Sequence, residues 1–426
     1  MRSAPAFGGL RPGAWRSEPS SSAVGCPKQR EATKQRLSPC GRAAQPTYRA
    51  QSPGPLPLEF WSSAAVPLEE ASTPPSSWYT STAVQSLEQE HVFGKNWLYV
   101  GHQRQATSSG DFFTTEAGNV RLLVTRQSDG RLQAFHNVCR HRGAAVAHGS
   151  GYGAKHFQGS TSGWRYGLDG TLLENHRLQA VRGFQAAEHS LLPVHTTAWG
   201  PFIFVHLDRA RHMPDVQERL GRAEPRMRDA GMLSPELQHV GTRSYHLSCN
   251  WKVFVDNYLD GGYHVPFAHP GLASALDMEG YWTELYETVS LQCSPLASQP
   301  APDEWADLAA ARTAGGHGPV YAFIYPNLMI NRYGSSMDTN LVLPTGVSSC
   351  KVIFDWYTHH DQACNDDHVR GLIEGSEKVQ EEDMGLCAEV QLGLSSPAYD
   401  VGRYVPAVEG PMFHFHQLLY DDLRRG

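Results

Sequence analysis

Between residues 96 and 208 apolar and polar residues alternate in short runs that stop at glycine. "WLYVGH", "NVRLLVTR", "LQAFHNV", "HFQG" and "PFIFVHLD" succeed one another in this way. A period of two puts alternate side chains on opposite faces of an extended chain, so each run predicts a strand. Ser128-Asp129-Gly130 and Leu168-Asp169-Gly170 carry the Asp-Gly signal of a tight hairpin turn. Many short strands joined by glycine turns predict a small antiparallel β domain.

The pattern changes beyond about residue 240. "YHLSCNWKVFVDNYLDGGYHVPFAH" passes from a strand into a helix. "VYAFIYPNLMINRY", "NLVLP" and "SCKVIFDWYTHH" read as sheet strands. Residues 366–394 predict one long amphipathic helix. Val369, Leu372, Ser376, Val379, Asp383, Leu386 and Val390 recur there at steps of three to four. The second domain is therefore expected to be α+β, a sheet with a long helix packed on it. "MPDVQERLGRAEPRM" (213–227) reads as a connecting helix. "STAVQSLEQEHVFGKNW" reads as a short helix with Val84, Leu87 and Val92 on one face. Before it, "SPGPLPLEFWSSAAVPLEEASTPPSSW" reads as a Pro/Ser-rich linker.

Charge separates the start of the chain from the rest. Residues 1–50 hold nine Lys/Arg and two acids, and the remainder holds 27 basic and 41 acidic residues. A basic, Ser/Ala-rich leader without an apolar core segment has the composition of an organelle transit peptide. The net charge of −7 and the lack of a basic patch argue against nucleic acid as a partner. No run of eighteen apolar residues occurs, so no membrane-spanning helix is expected. The eight cysteines form no framework, which fits a reducing compartment. Most of the six beyond the leader are expected to be buried thiols acting as small apolar side chains.

Two groups of residues carry chemistry. His264 and His269 stand five apart, too far round an unbroken helix to meet at one ion. Pro266 between them breaks the helix and lets the second imidazole swing back. Asp383 sits on the apolar stripe of the long helix, where a carboxylate is costly without a cation or strong donors. Glu381 and Glu382 lie off the stripe and read as solvated. Two imidazoles and one carboxylate match the facial triad of non-haem Fe(II) oxygenases. The competing partner for Asp383 is an arginine, Arg332 or Arg403. In the β domain, Cys139 and His141 have C-x-H spacing, the half of a metal site.

"NWKVFVDNYLDGGYHVPFAH", "EEDMGLCAEVQLGLSSPAYDVGRYVP" and "FHFHQLL" resemble the catalytic domain of the Rieske non-haem iron oxygenases, in the branch of the chloroplast choline monooxygenases. The likeness runs from about residue 78 to 420. It implies a Rieske-type antiparallel β domain over 96–208 and a helix-grip, START-like α+β catalytic domain over 209–426. Residues 1–55 would be the transit peptide, and 56–95 a linker and N-terminal helix. The resemblance makes His264, His269 and Asp383 ligands of a mononuclear Fe(II), and Asn257 a polar neighbour of that iron. Asp260 resembles the acid that links the iron to a neighbouring subunit's cluster. It stands four residues before the first histidine, whereas many relatives have that acid three before, where this chain has Gly261. The implied partners are ferredoxin, O2 and choline or a related quaternary amine, in a homo-oligomer of trimer type and in the chloroplast stroma. A quaternary ammonium wants an aromatic cage. The candidates are Tyr281, Trp282, Phe323, Tyr325 and Trp356.

The second implied cofactor is a [2Fe–2S] Rieske cluster, held by two thiolates and two imidazoles. Cys139 and His141 match the first pair of ligands. Trp164, Tyr166, Gly167, Asp169 and Gly170 match the family's residues downstream of the second pair. Gly159 stands where the second Cys belongs and Ser162 where the second His belongs. Three readings stay open. Residues 159–162 are a local fault, such as a misplaced exon boundary; or the protein is a non-catalytic or electron-transfer-impaired homologue that lost the cluster and keeps only the mononuclear iron site or a regulatory role; or an altered cluster uses water or a loop histidine, His148 or His156.

Overall fold

The computed structural model describes residues 61–176, 181–208, 214–298, 318–363 and 365–425. The transit-peptide expectation lies outside the described residues.

The Pro/Ser-rich stretch is not a loose tether from Trp61 onward. Trp61, Trp78 and Tyr79 are buried, and Trp61 and Trp78 pack on Tyr420 with ring centroids 5.8 and 6.3 Å away. Large aromatic surfaces gain more from burial than the flanking Ser and Pro lose. Next comes a short helix, α1 (Thr82–Leu87), continued by a wider turn over Glu88–Phe93. Val84, Leu87 and Val92 are all buried, as their spacing predicts.

The strands expected from the period of two are present. They are β1 (Trp97–His102), β2 (Phe112–Ala117), β3 (Val120–Arg126), β4 (Leu132–His136) and β5 (Ser150–Gly151). After these come β6 (Phe157–Gln158), β7 (Arg165–Tyr166), β8 (Leu172–Glu174), β9 (Pro193–Trp199) and β10 (Phe202–His206). A seven-stranded sheet has the order β1-β10-β9-β4-β3-β2-β5, and β6-β7-β8 form a small second sheet. The strand pairings in both sheets are antiparallel. Leu123, Phe135, Phe157, Trp164 and Tyr166 form a separate core beneath the loops of the smaller sheet. The single connecting helix expected over 213–227 is two short ones, Val216–Leu220 and Glu224–Asp229.

The sheet of the second domain begins with β11 (Leu237–Leu247) and continues after a helical excursion with β12 (Trp282–Leu285) and β13 (Val289–Cys293). β14 (Val320–Ile324), β15 (Leu328–Tyr333), β16 (Ser336–Gly346) and β17 (Ser349–His359) complete it. The order is β11-β17-β16-β15-β14-β13-β12, all antiparallel. β16 is buried from Ser336 to Pro344 because both faces of the sheet are covered. Met337, Leu341 and Leu343 pack with Tyr99, Phe202 and Phe204 of the β domain. The opposite face takes helices: α2 (Trp251–Leu259), α3 (Val265–Ala268), α4 (Pro270–Ala275), α5 (Asp366–Leu394) and α6 (Gly410–Arg424).

α5 has the bounds that its periodicity predicts, and Asn365 caps it by accepting from His368 N at 3.1 Å. Its buried stripe is narrower and more polar than expected: Leu372, Ser376, Gln380, Cys387, Gln391 and Leu394. Val390 falls outside it and is 52% exposed. Cys139, Cys249, Cys293, Cys350 and Cys387 are buried free thiols, as expected. No helix among the described residues is long and apolar enough to cross a membrane.

Candidate metal centre

α2 ends at Leu259, and the chain turns through Gly261 and Gly262, both at positive φ (+68° and +76°). A Cβ on Gly261 would lie 2.2 Å from Val408 O, so only glycine passes here. Asp260 closes the turn. Its carboxylate accepts from Gly262 N at 2.9 Å, from His264 N at 2.9 Å and from His264 Nδ1 at 2.6 Å. The helix break therefore precedes His264. Pro266 does not end a helix; it sits in the first turn of α3, a position proline favours. His264 and His269 flank this single turn as its two caps. The backbone leaves helical geometry at His269 (φ −126°, ψ 68°), and the two rings come within 5.1 Å.

Asp383 of α5 meets them. Its Oδ1 accepts from His269 Nε2 at 3.0 Å and from Asn257 Nδ2 at 2.8 Å, and lies 3.6 Å from His264 Nε2. One donor atom from each of His264, His269 and Asp383 lies within 4.8 Å of the others, the spacing that one metal ion requires. The arginine alternative fails. Arg332 reaches His359 Nε2 at 3.2 Å, and Arg403 donates to Glu69 O at 2.6 Å. Burial works against a charged His264, but the hydrogen bonds to Asp260 and Asp383 outweigh it and push the imidazole up to about 10. Burial likewise raises Asp383, yet the two imidazoles hold it down to about 2.

Glu382 is not a solvated side chain. Its Oε2 accepts from His269 Nδ1 at 2.6 Å. Both imidazoles therefore give Nδ1–H to a carboxylate and turn Nε2 toward Asp383. Such a partner fixes the tautomer and strengthens the ring as a ligand. Glu382→Gln is expected to weaken divalent-metal binding about 10- to 100-fold. Equilibrium dialysis against Co(II) measures this, and an unchanged affinity would count against the role.

The triad opens on a cavity of about 110 Å³. Phe254, Tyr258, Tyr281, Tyr321, Tyr333 and Phe354 supply its aromatic wall, with Asn257, Asn331 and Asn340 as polar points. Tyr258 Oη donates to Asn331 Oδ1 at 2.8 Å. Of the five aromatics expected, only Tyr281 lines it. Trp282 lies on the edge strand, 39% exposed beneath Arg226. Phe323 and Tyr325 turn to Phe415 of α6, and Trp356 packs behind Phe354. Among the described residues no lysine or arginine lines this cavity.

At the far end of the β domain, loops 139–144 and 159–164 face each other. The Cys139 Sγ lies 3.3 Å from Ser162 Oγ and 3.4 Å from Tyr166 Oη. The His141 ring lies over Trp164, with centroids 5.1 Å apart.

Both halves of the chain match known families. The profile of the Rieske [2Fe-2S] domain matches residues 96–185, and that of the ring hydroxylating alpha subunit (catalytic domain) matches 234–424. Chloroplastic choline monooxygenase of Arabidopsis thaliana is 44% identical over 369 residues, covering 84% of this chain and 85% of that protein. The chain belongs to the Rieske non-haem iron oxygenases. The carnitine monooxygenase oxygenase subunit of Escherichia coli K12 is 27% identical over 361 residues, 82% of this chain and 94% of that one. A quaternary ammonium Rieske monooxygenase solved with L-carnitine superposes with a TM-score of 0.73 at 26% identity, covering 86% of this chain and 99% of that one. The chain has the catalytic fold and metal-binding triad of a Rieske-type monooxygenase, and it is an enzyme of that type.

The two cofactors of the family fit this chain unequally. The triad suits a mononuclear ion in donor type and spacing. The facing loops offer one thiol and one imidazole where a Rieske cluster takes two of each.

Proposed function

We propose that this protein hydroxylates choline at a carbon beside its quaternary nitrogen, giving betaine aldehyde hydrate, the first step toward glycine betaine. One observation carries the reading: the triad opens on an aromatic cavity without a described lysine or arginine. An aromatic wall attracts a quaternary ammonium through the negative faces of its rings. Carnitine carries a carboxylate besides, and that group finds no described basic side chain here. The choline monooxygenases among the relatives support the same choice.

His264, His269 and Asp383 would hold Fe(II). Bound there, the ion would supply O2 activation for hydroxylation, with open positions beside a facial triad. The protein's own groups do the positioning. Asp260 and Glu382 orient the two imidazoles, and Asn257 fixes Asp383 by its amide. Phe254, Val265, Leu272 and Leu276 line the cavity with apolar surface that limits water. Where the Rieske cluster is in place, ferredoxin is the electron source we assign and Asp260 the link to a neighbouring subunit in a homotrimer; a chain without the cluster keeps the iron site and the cavity but not that electron route. Relatives described as chloroplastic, with the basic leader, support the stroma as location. The seven-stranded sheet packed against α2 and α5 supports a helix-grip, START-like description of the domain.

Calorimetry on the metal-loaded chain tests the substrate. Choline is expected to bind at least about tenfold more tightly than its neutral carbon isostere, 3,3-dimethylbutan-1-ol, the scale of a desolvated cation–π contact. Carnitine is expected to bind more weakly than choline. Equal binding of all three would contradict the proposal.

A further inference from the structure

The facing loops of the β domain keep a frame from which two side chains are missing. Cys139 N donates to Ala144 O at 2.6 Å and Gly143 N to Cys139 O at 2.9 Å, which ties the first loop. Gly159 N donates to Trp164 O and Gly163 N to Gly159 O, both at 2.9 Å, which ties the second. Tyr166 clasps one loop to the other, since its Oη accepts from Arg140 N at 2.9 Å.

The ligand positions still converge. A Cβ on Gly159 would lie 2.7 Å from Cys139 Sγ and 3.1 Å from Ser162 Oγ. At 2.7 Å a Cβ overlaps the sulfur, so a side chain at 159 shares the Cys139 site and requires Cys139 Sγ to turn aside. Nor does the backbone ask for glycine at 159. Gly143 and Gly163 have positive φ (+82° and +69°), and Gly159 does not. The ligands are gone, while the turns that aim them remain.

Loops of this kind draw folding energy from their metal. Here the hydroxyls of Ser162 and Tyr166 stand within hydrogen-bonding reach of the buried Cys139 sulfur instead. We infer that this chain carries one metal centre rather than two. Contacts from Ser162 and Tyr166 to Cys139 hold the loops in place of a cluster, and residues 159 and 162 are the whole of the defect. Gly159→Cys with Ser162→His then suffices to restore a [2Fe–2S] site.

The inference does not rest on the substrate, so its test is independent of choline binding. The full-length native chain and the double variant are incubated anaerobically with ferrous iron and sulfide, then desalted. Acid-labile sulfide, visible absorption and the EPR spectrum after dithionite reduction are recorded. The native chain is expected to hold no labile sulfide and to give no reduced-cluster signal. The double variant is expected to gain about two sulfides per chain and that signal. Each single variant is expected to gain neither, with circular dichroism like the native chain. A cluster signal from the native chain overturns the inference, whether or not the double variant folds. A double variant that folds, keeps its mononuclear metal and takes up no sulfide overturns the claim that two positions suffice.

Discussion

Asp383→Ala empties the mononuclear centre. Two imidazoles remain, held by Asp260 and Glu382, but the carboxylate that joins α5 to them is lost. Removing a group that only orients a ligand costs about 10- to 100-fold in affinity, and removing a ligand itself exceeds that. Iron content after desalting is therefore expected to fall below about one tenth of native. His264→Ala is expected to do the same. Glu381→Ala, two residues before Asp383 and exposed on another face of the helix, is the control that keeps its iron. Retention of native iron by Asp383→Ala would show that the ion is held elsewhere.

Lys252→Met unfolds the protein more readily than any surface change. Lys252 Nζ lies 2.5 Å from Glu88 Oε1, with side-chain exposures of 0% and 1%. It also donates to Asn250 Oδ1 at 2.8 Å and lies 5.1 Å from the Tyr79 ring. Glu88 accepts in turn from Trp251 Nε1 at 2.8 Å. Burial pulls the Lys252 ammonium below its usual range, and the Glu88 charge opposes this. Deleting one partner leaves the other charge buried and unpaired, which costs about 3–5 kcal/mol. Denaturant unfolding of Lys252→Met and Glu88→Gln should show losses of that size. In the double variant Lys252→Met/Glu88→Leu no charge is stranded, so the loss is expected to be smaller than either single loss. A Lys252→Met protein as stable as native would mean that the pair holds nothing together.

How far the sequence foretold this site depends on what each residue must satisfy. Periodicity placed α5 over 366–394, and it placed Asp383 on the helix face that meets the histidines. It missed Glu382, because spacing marks only which way a Cβ points. A long side chain at the rim of a stripe can still reach inward, and Glu382 does so to His269 Nδ1. Gln391 was missed for a related reason. It looks like a surface residue, but its Oε1 accepts from Asn250 N at 2.7 Å, where a strand gives way to a helix. The cage aromatics show the limit of a period of two. Phe323 comes two residues after Tyr321, and Trp356 comes two after Phe354. The alternation gives the face of the sheet but not the position along it. Tyr321 and Phe354 reach the cavity, while Phe323 meets Phe415 and Trp356 packs behind Phe354. Composition misled at the Pro/Ser stretch, where a few aromatic anchors decide the packing. The sequence reading put the helix break at Pro266 and passed over the Gly261-Gly262 pair that makes it. The need for glycine there comes from the close approach of Val408, in a segment almost 150 residues away that spacing cannot show.

The central proposal is one metal ion, held by His264, His269 and Asp383 and facing a cavity that takes a quaternary ammonium. The direct test is the EPR spectrum of the ferrous nitric oxide adduct of the native chain, which needs no electron delivery from the β domain. The expected result is a high-spin iron–nitrosyl signal that choline changes and that Asp383→Ala abolishes. No signal from the iron-loaded native chain, or a signal that saturating choline leaves unaltered, would contradict it.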